Sequence, residues 1–144
     1  MTSDPGATRL AWGIRASFRE YLRGLDDTVV TSDGAAVEPG GFVFPSAGTP
    51  GAFRGWVRVT AHAGALDVTL AEPVIETRDG TVVLSARTGA GRIVVARLQD
   101  ATDAESLTRD GGTVHDVALT LDGAVWLGGV YRPWTRMDPL EVRS

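Results

Sequence analysis

The chain has 144 residues, which suits one domain with a sizeable core and is too short for two domains of ordinary size. We therefore expect residues 1–144 to form a single domain. Cysteine is absent, which excludes disulfides, thiolate-bound metals and cofactors attached through thioether bonds. The net charge of −4 provides no basic surface for a phosphate backbone, so we expect no nucleic-acid partner.

The amino-terminal residues show no targeting pattern. Residues 1–6 contain no basic segment followed by an apolar one, and no part of the chain approaches 18 apolar residues in a row. As written, this predicts a cytoplasmic protein without membrane insertion. A secreted or cell-surface protein trimmed of its signal peptide would have the same pattern.

One strong helical pattern opens the chain. Apolar residues recur at every fourth position, at Leu10, Ile14, Phe18 and Leu22. This spacing predicts an amphipathic helix from about Thr8, as the N-cap, to Leu22, with Gly24 ending it.

Tyr21 falls within the apolar arc of this predicted helix and is expected to point inward. Such a tyrosine is commonly a core-edge residue whose hydroxyl reaches water. Ser17 and Gly13 are small residues on nearly the same face, one and two turns earlier, which would leave room for a flat group against the helix. Both interpretations are open from the pattern alone.

Short β-type runs follow from Asp26 onward, separated by turn residues. Asp-Gly pairs at 33–34, 79–80, 110–111 and 122–123 are typical of hairpin turns. The predicted strands are 53–60, 66–70, 74–77, 81–86, 92–98, 114–121 and 124–131. The sequence thus predicts an α+β fold, mainly β, with an antiparallel sandwich or open barrel and one N-terminal helix.

The two histidines differ in their settings. Alternation along 56–62 places Val57 and Val59 on one face and His62 on the other, so His62 is either a solvent-facing histidine at a hairpin or a ligand at the rim of a sheet. His115, beside Asp116, lacks a serine elbow or a zinc-type spacing, so we expect a surface residue. The four tryptophans are expected to be packing residues: Trp12, Trp56, Trp126 and Trp134.

Four separated segments carry a more specific signal. The first, 10–21, contains Trp-Gly-Ile-Arg-Ala-Ser-Phe-Arg-Glu-Tyr, and the second is Thr-Ser-Asp-Gly-Ala at 31–35. The third runs from Phe53 to Pro73 and includes the strand that ends in His62. The fourth joins Leu-Gly-Gly-Val-Tyr at 127–131 to Met-Asp-Pro-Leu at 137–140. In this order they resemble the motifs of HtaA domains, the heme-binding modules of actinobacterial heme uptake.

The resemblance implies a binding site. Tyr21 would be the axial ligand of heme iron, and His62 would hydrogen-bond the tyrosine oxygen. Ser17 would lie beside a heme propionate, and Tyr131 would line the pocket. The implied ligand is a noncovalent ferric heme b, since an anionic oxygen favours Fe(III) over Fe(II). At Leu127 and Val130 this chain has aliphatic residues where the family commonly has aromatic ones, and it has Ala61 where the family commonly has glycine.

The expected function is heme uptake, transfer or intracellular holding, with a protein that donates or accepts heme as the partner. Tyrosine also ligates heme in catalases, so a peroxidase- or catalase-like enzyme is one alternative, with His115 as the spare histidine. We expect no enzyme activity, because nothing in the sequence places His115 at the pocket. A β-rich interaction domain that has lost heme is the other alternative, against which the joint presence of Tyr21, His62 and Tyr131 argues.

Overall fold

The computed structural model describes residues 8–89, 91–101, 103–105 and 111–144. The strands of the first antiparallel sheet are β1 (Arg9–Trp12), β3 (Ala36–Glu38), β4 (Gly41–Pro45), β9 (Thr113–His115) and β11 (Leu140–Arg143). Those of the second are β2 (Val29–Asp33), β5 (Trp56–Ala61), β6 (Leu66–Arg78), β7 (Thr81–Thr88), β8 (Gly91–Leu98) and β10 (Val117–Leu119). The spatial orders are β3-β4-β1-β11-β9 and β10-β8-β7-β6-β5-β2.

Two α-helices lie wholly within the described residues, α1 (Ala16–Arg23) and α2 (Leu121–Trp126). A 3-10 turn, His62–Gly64, connects β5 to β6. Neither α-helix has the length or apolar character needed to cross a bilayer.

The buried faces of both sheets and of α1 share one hydrophobic core. The first sheet contributes Leu10 and Phe44, the second contributes Val59 and Leu84, and α1 contributes Phe18. Alternation along β5 is as predicted, with Val57, Val59 and Ala61 buried. The predicted fold class, α+β and mainly β with an N-terminal helix, is confirmed as two packed antiparallel sheets.

The predicted start of the first helix is wrong. Residues 9–12 form β1, which pairs with β4 and β11, and Thr8 is not an N-cap. The chain then bends at Gly13 and at Ile14, whose φ of 64° is left-handed, and α1 begins only at Ala16. A Cβ at Gly13 would lie 2.6 Å from the carbonyl oxygen of Gly40, so only glycine fits this bend. The four-residue spacing of apolar residues therefore spans two elements. Leu10 is a buried position of β1, whereas Phe18 and Leu22 are buried positions of α1.

The predicted strand at 124–131 is also wrong, because α2 and a loop occupy that segment. The Thr120 hydroxyl accepts a hydrogen bond from the Gly123 N–H (3.0 Å) and caps the helix. A Cβ at Gly123 would collide with the carbonyl of Val95. The Asp-Gly pair at 122–123 therefore allows close helix–sheet packing and is not a hairpin turn.

The other turn and strand predictions have mixed outcomes. Asp79-Gly80 is the predicted two-residue turn between β6 and β7. Asp33-Gly34 instead links strands of different sheets, and the pair at 110–111 lies partly outside the described residues. The predicted strands 66–70 and 74–77 are one bulged strand, β6, whereas 114–121 divides into β9, β10 and the start of α2. The pattern missed β1, β2, β3, β4 and β11.

Candidate functional site

Tyr21 and His62 meet at the protein surface although 41 positions separate them. Their Oη and Nε2 atoms are 2.5 Å apart, and their rings are tilted by 45°. Tyr21 is 46% exposed, so the expectation that it points inward is wrong. Phe18 and Leu22 fill the core-facing side of α1, and Tyr21 lies at the edge of that side, next to solvent.

Strand pairing brings these two residues together. Val29 of β2 lies opposite Thr60 of β5. Because the two strands are antiparallel, the segment between α1 and β2 lies beside the turn that follows β5. The end of α1 is thereby held against His62.

The Asp27 carboxylate stabilises the turn that carries His62. His62 and Ala63 both have left-handed backbones, with φ of 53° and 55°. The Asp27 carboxylate accepts a hydrogen bond from the Ala63 N–H (2.7 Å). This bond and one from the His62 N–H hold the pKa of Asp27 below its ordinary value of 3.8. Sequence reasoning missed Asp27, because a side chain that binds a distant backbone group leaves no local pattern.

We expect Asp27→Ala to loosen this turn and lower the melting temperature at neutral pH. A carboxyl whose folded-state pKa is depressed contributes stability above its ordinary pKa and loses it as the pH falls through the folded-state value. The difference between wild type and variant should therefore shrink below pH 3.8. Thermal unfolding followed by circular dichroism across this range measures it. Asp26→Ala is the matched control, and a difference that grows on acidification would contradict the assignment.

A second cluster lies at the start of α1, where Ser17 meets Arg15, which precedes the helix, and Tyr131 from the loop at 127–131. Ser17 Oγ and Tyr131 Oη are 2.7 Å apart. The Arg15 guanidinium lies over the Tyr131 ring, 4.9 Å from its centroid, and donates to Ser17 Oγ at 3.4 Å. The structure thus places all four predicted site residues on or against α1, while Arg15 was not predicted.

The loop at 127–131 connects the two clusters. It carries Tyr131, and a Cβ at Gly128 would lie 3.7 Å from Leu66, which follows the His62 turn. Val130 is 50% exposed beside Tyr131, whereas Leu127 is fully buried. Of these two aliphatic residues, only Val130 reaches the surface.

Asp138 fixes the start of α1, a role that the sequence did not reveal. Its Oδ1 accepts from the Ala16 N–H (3.0 Å), and its Oδ2 pairs with Arg19 (2.5 Å). Its backbone carbonyl accepts from the Trp12 indole N–H (2.9 Å). Arg15, the residue at the N-cap position, makes no capping bond with its side chain, so Asp138 supplies the acceptor instead.

The remaining candidates lie elsewhere. His115 is half-buried rather than fully exposed: its side chain is 14% exposed, and Nδ1 lies 3.1 Å from Asp100 Oδ1. Trp12 and Trp126 pack as predicted, the latter donating to the Thr69 carbonyl. Trp56 and Trp134 are exposed, contrary to prediction.

The model of the HtaA family, described as Htaa, matches residues 7–143 of the chain. The chain belongs to the HtaA family. The family suggested by the four sequence segments is thereby confirmed. Among curated proteins, none matches the chain significantly.

Several solved structures from Corynebacterium glutamicum are similar to this HtaA-family chain. The C-terminal domain of HtaA is 22% identical with a TM-score of 0.75, over 94% of this chain and 93% of that one. The N-terminal domain of HtaA is 25% identical with a TM-score of 0.73, over 99% and 96%. The heme binding protein HtaB is 20% identical with a TM-score of 0.74, over 94% and 91%. The fold is therefore shared along nearly the whole length of all of them.

Proposed function

We propose that this chain binds one ferric heme b noncovalently, with Tyr21 as the axial ligand and His62 as the hydrogen-bond partner of the tyrosine oxygen. The observation that carries the proposal is the 2.5 Å contact between Tyr21 Oη and His62 Nε2 at the surface. Membership of the HtaA family and the likeness to HtaB, a heme binding protein, supply the identity of the ligand.

The chemistry of the pair fits ferric iron. When bound, heme supplies a hard Fe(III) centre that prefers an anionic oxygen ligand. A phenolate oxygen can only accept hydrogen bonds, so His62 must carry its proton on Nε2 to support it. Tyr21 is 46% exposed, so its side chain is accessible from solvent.

The site favours carriage over catalysis. Peroxide chemistry needs an acid–base group that acts beside the open iron face. His115, the spare histidine, instead pairs with Asp100 and contacts neither Tyr21 nor His62 in the described part of the chain. An open, noncovalent site allows direct exchange with a donor or acceptor protein. We propose heme uptake or transfer as the role.

Titration with hemin, followed by absorbance, tests the proposal. The wild-type protein should give a saturable change of the Soret band at one hemin per chain. Protoporphyrin IX without iron is the control and should bind much more weakly, because it cannot bond to Tyr21. Absence of a saturable change, or equal affinity for both compounds, would contradict iron ligation.

We expect His62→Ala to speed hemin loss about tenfold without abolishing binding, since it removes a partner of the iron ligand rather than the ligand. His62→Gln keeps an N–H donor and should lie between wild type and His62→Ala. Transfer of hemin to excess apomyoglobin gives the rates, with gel filtration to verify that the variants keep the wild-type oligomeric state.

His115→Ala is the matched control and should release hemin at the wild-type rate. Wild-type release by His62→Ala would argue against the assigned pair. Rapid peroxide turnover that His115→Ala abolished would support an enzyme instead.

A further inference from the structure

Three of the four edge strands in the described part of the chain are short or covered. The first sheet ends in β3 and β9, which have only three residues each. The second sheet ends in β10, whose outer side is covered by residues 134–137. There the Trp134 N–H donates to the Leu119 carbonyl (2.6 Å) and the Met137 N–H donates to the Val117 carbonyl (2.9 Å). A short or covered edge offers little to another chain.

The fourth edge strand, β2, is longer and open. It has five residues, Val29–Asp33, and pairs with β5 along its whole length. Alternate residues of an antiparallel edge strand direct their N–H and C=O groups outward, and in β2 no described residue bonds to these groups. All five residues are exposed, including Val29 at 54% and Val30 at 42%. β2 therefore presents free backbone donors and acceptors beside apolar side chains.

The sequence of β2 contains none of the usual protection against pairing with another strand. Val-Val-Thr-Ser-Asp has no proline and no lysine, and its register with β5 is continuous, without a bulge. Its first three residues are β-branched and favour the extended conformation. The one charge, on Asp33, lies at the end of the strand. An edge of this kind is a template for a further strand.

We propose that β2 is a self-association surface, to which a second copy of this chain adds its own β2 as an antiparallel strand. A two-fold axis at Thr31 pairs all five residues, because Thr31 then lies opposite Thr31 of the second copy. Val29 lies opposite Asp33 of the second copy, so the two Asp33 carboxylates lie at opposite ends and no like charges face each other. The six-stranded sheets of the two copies join into one continuous sheet.

Self-association through β2 goes beyond the proposed function and does not depend on it. Among the described residues, no side chain of β2 bonds to Tyr21 or His62, whose oxygen and nitrogen contact each other. Experiments without hemin therefore test this surface separately from the heme site.

Sedimentation velocity without hemin, over a series of protein concentrations, tests the proposal. The mass of wild type should rise with concentration toward twice the 15.2 kDa of one chain. Val30→Lys places a charge on the open edge and should remain a monomer at concentrations at which wild type is a dimer. Val37→Lys makes the same change on β3, at a residue that is 52% exposed, and should dimerise like wild type. Thermal unfolding verifies that both variants are folded.

Disulfide trapping tests the register, and the absence of cysteine from the chain makes it specific. Residues directly opposite each other in an antiparallel pair have Cα atoms about 4.5–5.5 Å apart, which a disulfide can span. With copper–phenanthroline as the oxidant, Thr31→Cys should form a covalent dimer on a non-reducing gel. Val37→Cys, the matched control on β3, should stay mostly monomeric under the same conditions.

Two results would overturn the β2 surface. The first is a wild-type protein that stays monomeric at every concentration, with no more cross-linking of Thr31→Cys than of Val37→Cys. The second is a dimer that Val30→Lys leaves intact, because another surface would then hold the two copies together. Either result leaves the proposed function standing if the protein binds hemin, and failure to bind hemin leaves the β2 surface standing if the protein dimerises.

Discussion

Tyr21→Phe should lower the affinity for ferric heme more than about a hundredfold while leaving the fold intact, because it removes the iron ligand but keeps the ring. Tyr21 is 46% exposed and its hydroxyl shares one hydrogen bond, with His62, among the described residues, so little stability depends on that oxygen. Hemin titration gives the affinity, and thermal unfolding without hemin gives the stability. The spectrum of any residual complex should also differ from that of wild type.

Tyr131→Phe provides the matched control for Tyr21→Phe. It removes a phenol oxygen from the same surface, and that oxygen contacts Ser17 rather than His62. Its effect on hemin affinity should be at least tenfold smaller than that of Tyr21→Phe, roughly the difference between losing a hydrogen bond and losing a metal ligand. Equal effects of the two variants would mean that Tyr21 is a contact residue and not the ligand.

Asp138→Ala should destabilise the protein by about 2–3 kcal/mol, because it removes a helix cap and leaves a largely buried arginine without its partner. Arg19 and Asp138 are only 19% and 24% exposed, so water replaces the lost contacts poorly. Urea unfolding measures the loss. Hemin affinity should fall as well, since α1 carries both Ser17 and Tyr21.

Asp67→Ala is the control for this ion pair. Its partner Arg58 is 52% exposed and Asp67 itself 43%, so breaking this pair should cost less than about 1 kcal/mol. Asp138→Asn keeps an oxygen that can cap the Ala16 N–H and should lie between Asp138→Ala and wild type. If Asp138→Ala were as mild as Asp67→Ala, the start of α1 would not depend on this carboxylate.

Sequence patterns predicted the parts of the fold that depend only on residues close together in the chain. The alternating burial of β5 and the two-residue turn at 79–80 are of this kind. The boundary between β1 and α1 could not be predicted this way. Gly13 marks a close approach to Gly40, which is distant in sequence, so no spacing within 8–22 shows where the strand stops.

Only part of the candidate site could be predicted from the sequence, for the same reason. Tyr21 and His62 were singled out by their positions on a helix and a strand, and the family resemblance joined them. Asp27 holds the turn after β5 and Asp138 holds the start of α1, through hydrogen bonds that span 36 and 122 positions. Nothing in their immediate sequence distinguishes them from other surface carboxylates, so only the folded structure reveals what they do.

A crystal structure of the protein with hemin bound tests most directly whether Tyr21 holds the iron and His62 supports its oxygen. The predicted result is electron density that links Tyr21 Oη to the iron, with His62 Nε2 within hydrogen-bond distance of the same oxygen. Iron bonded to another side chain, or hemin seated away from α1, would contradict the assignment.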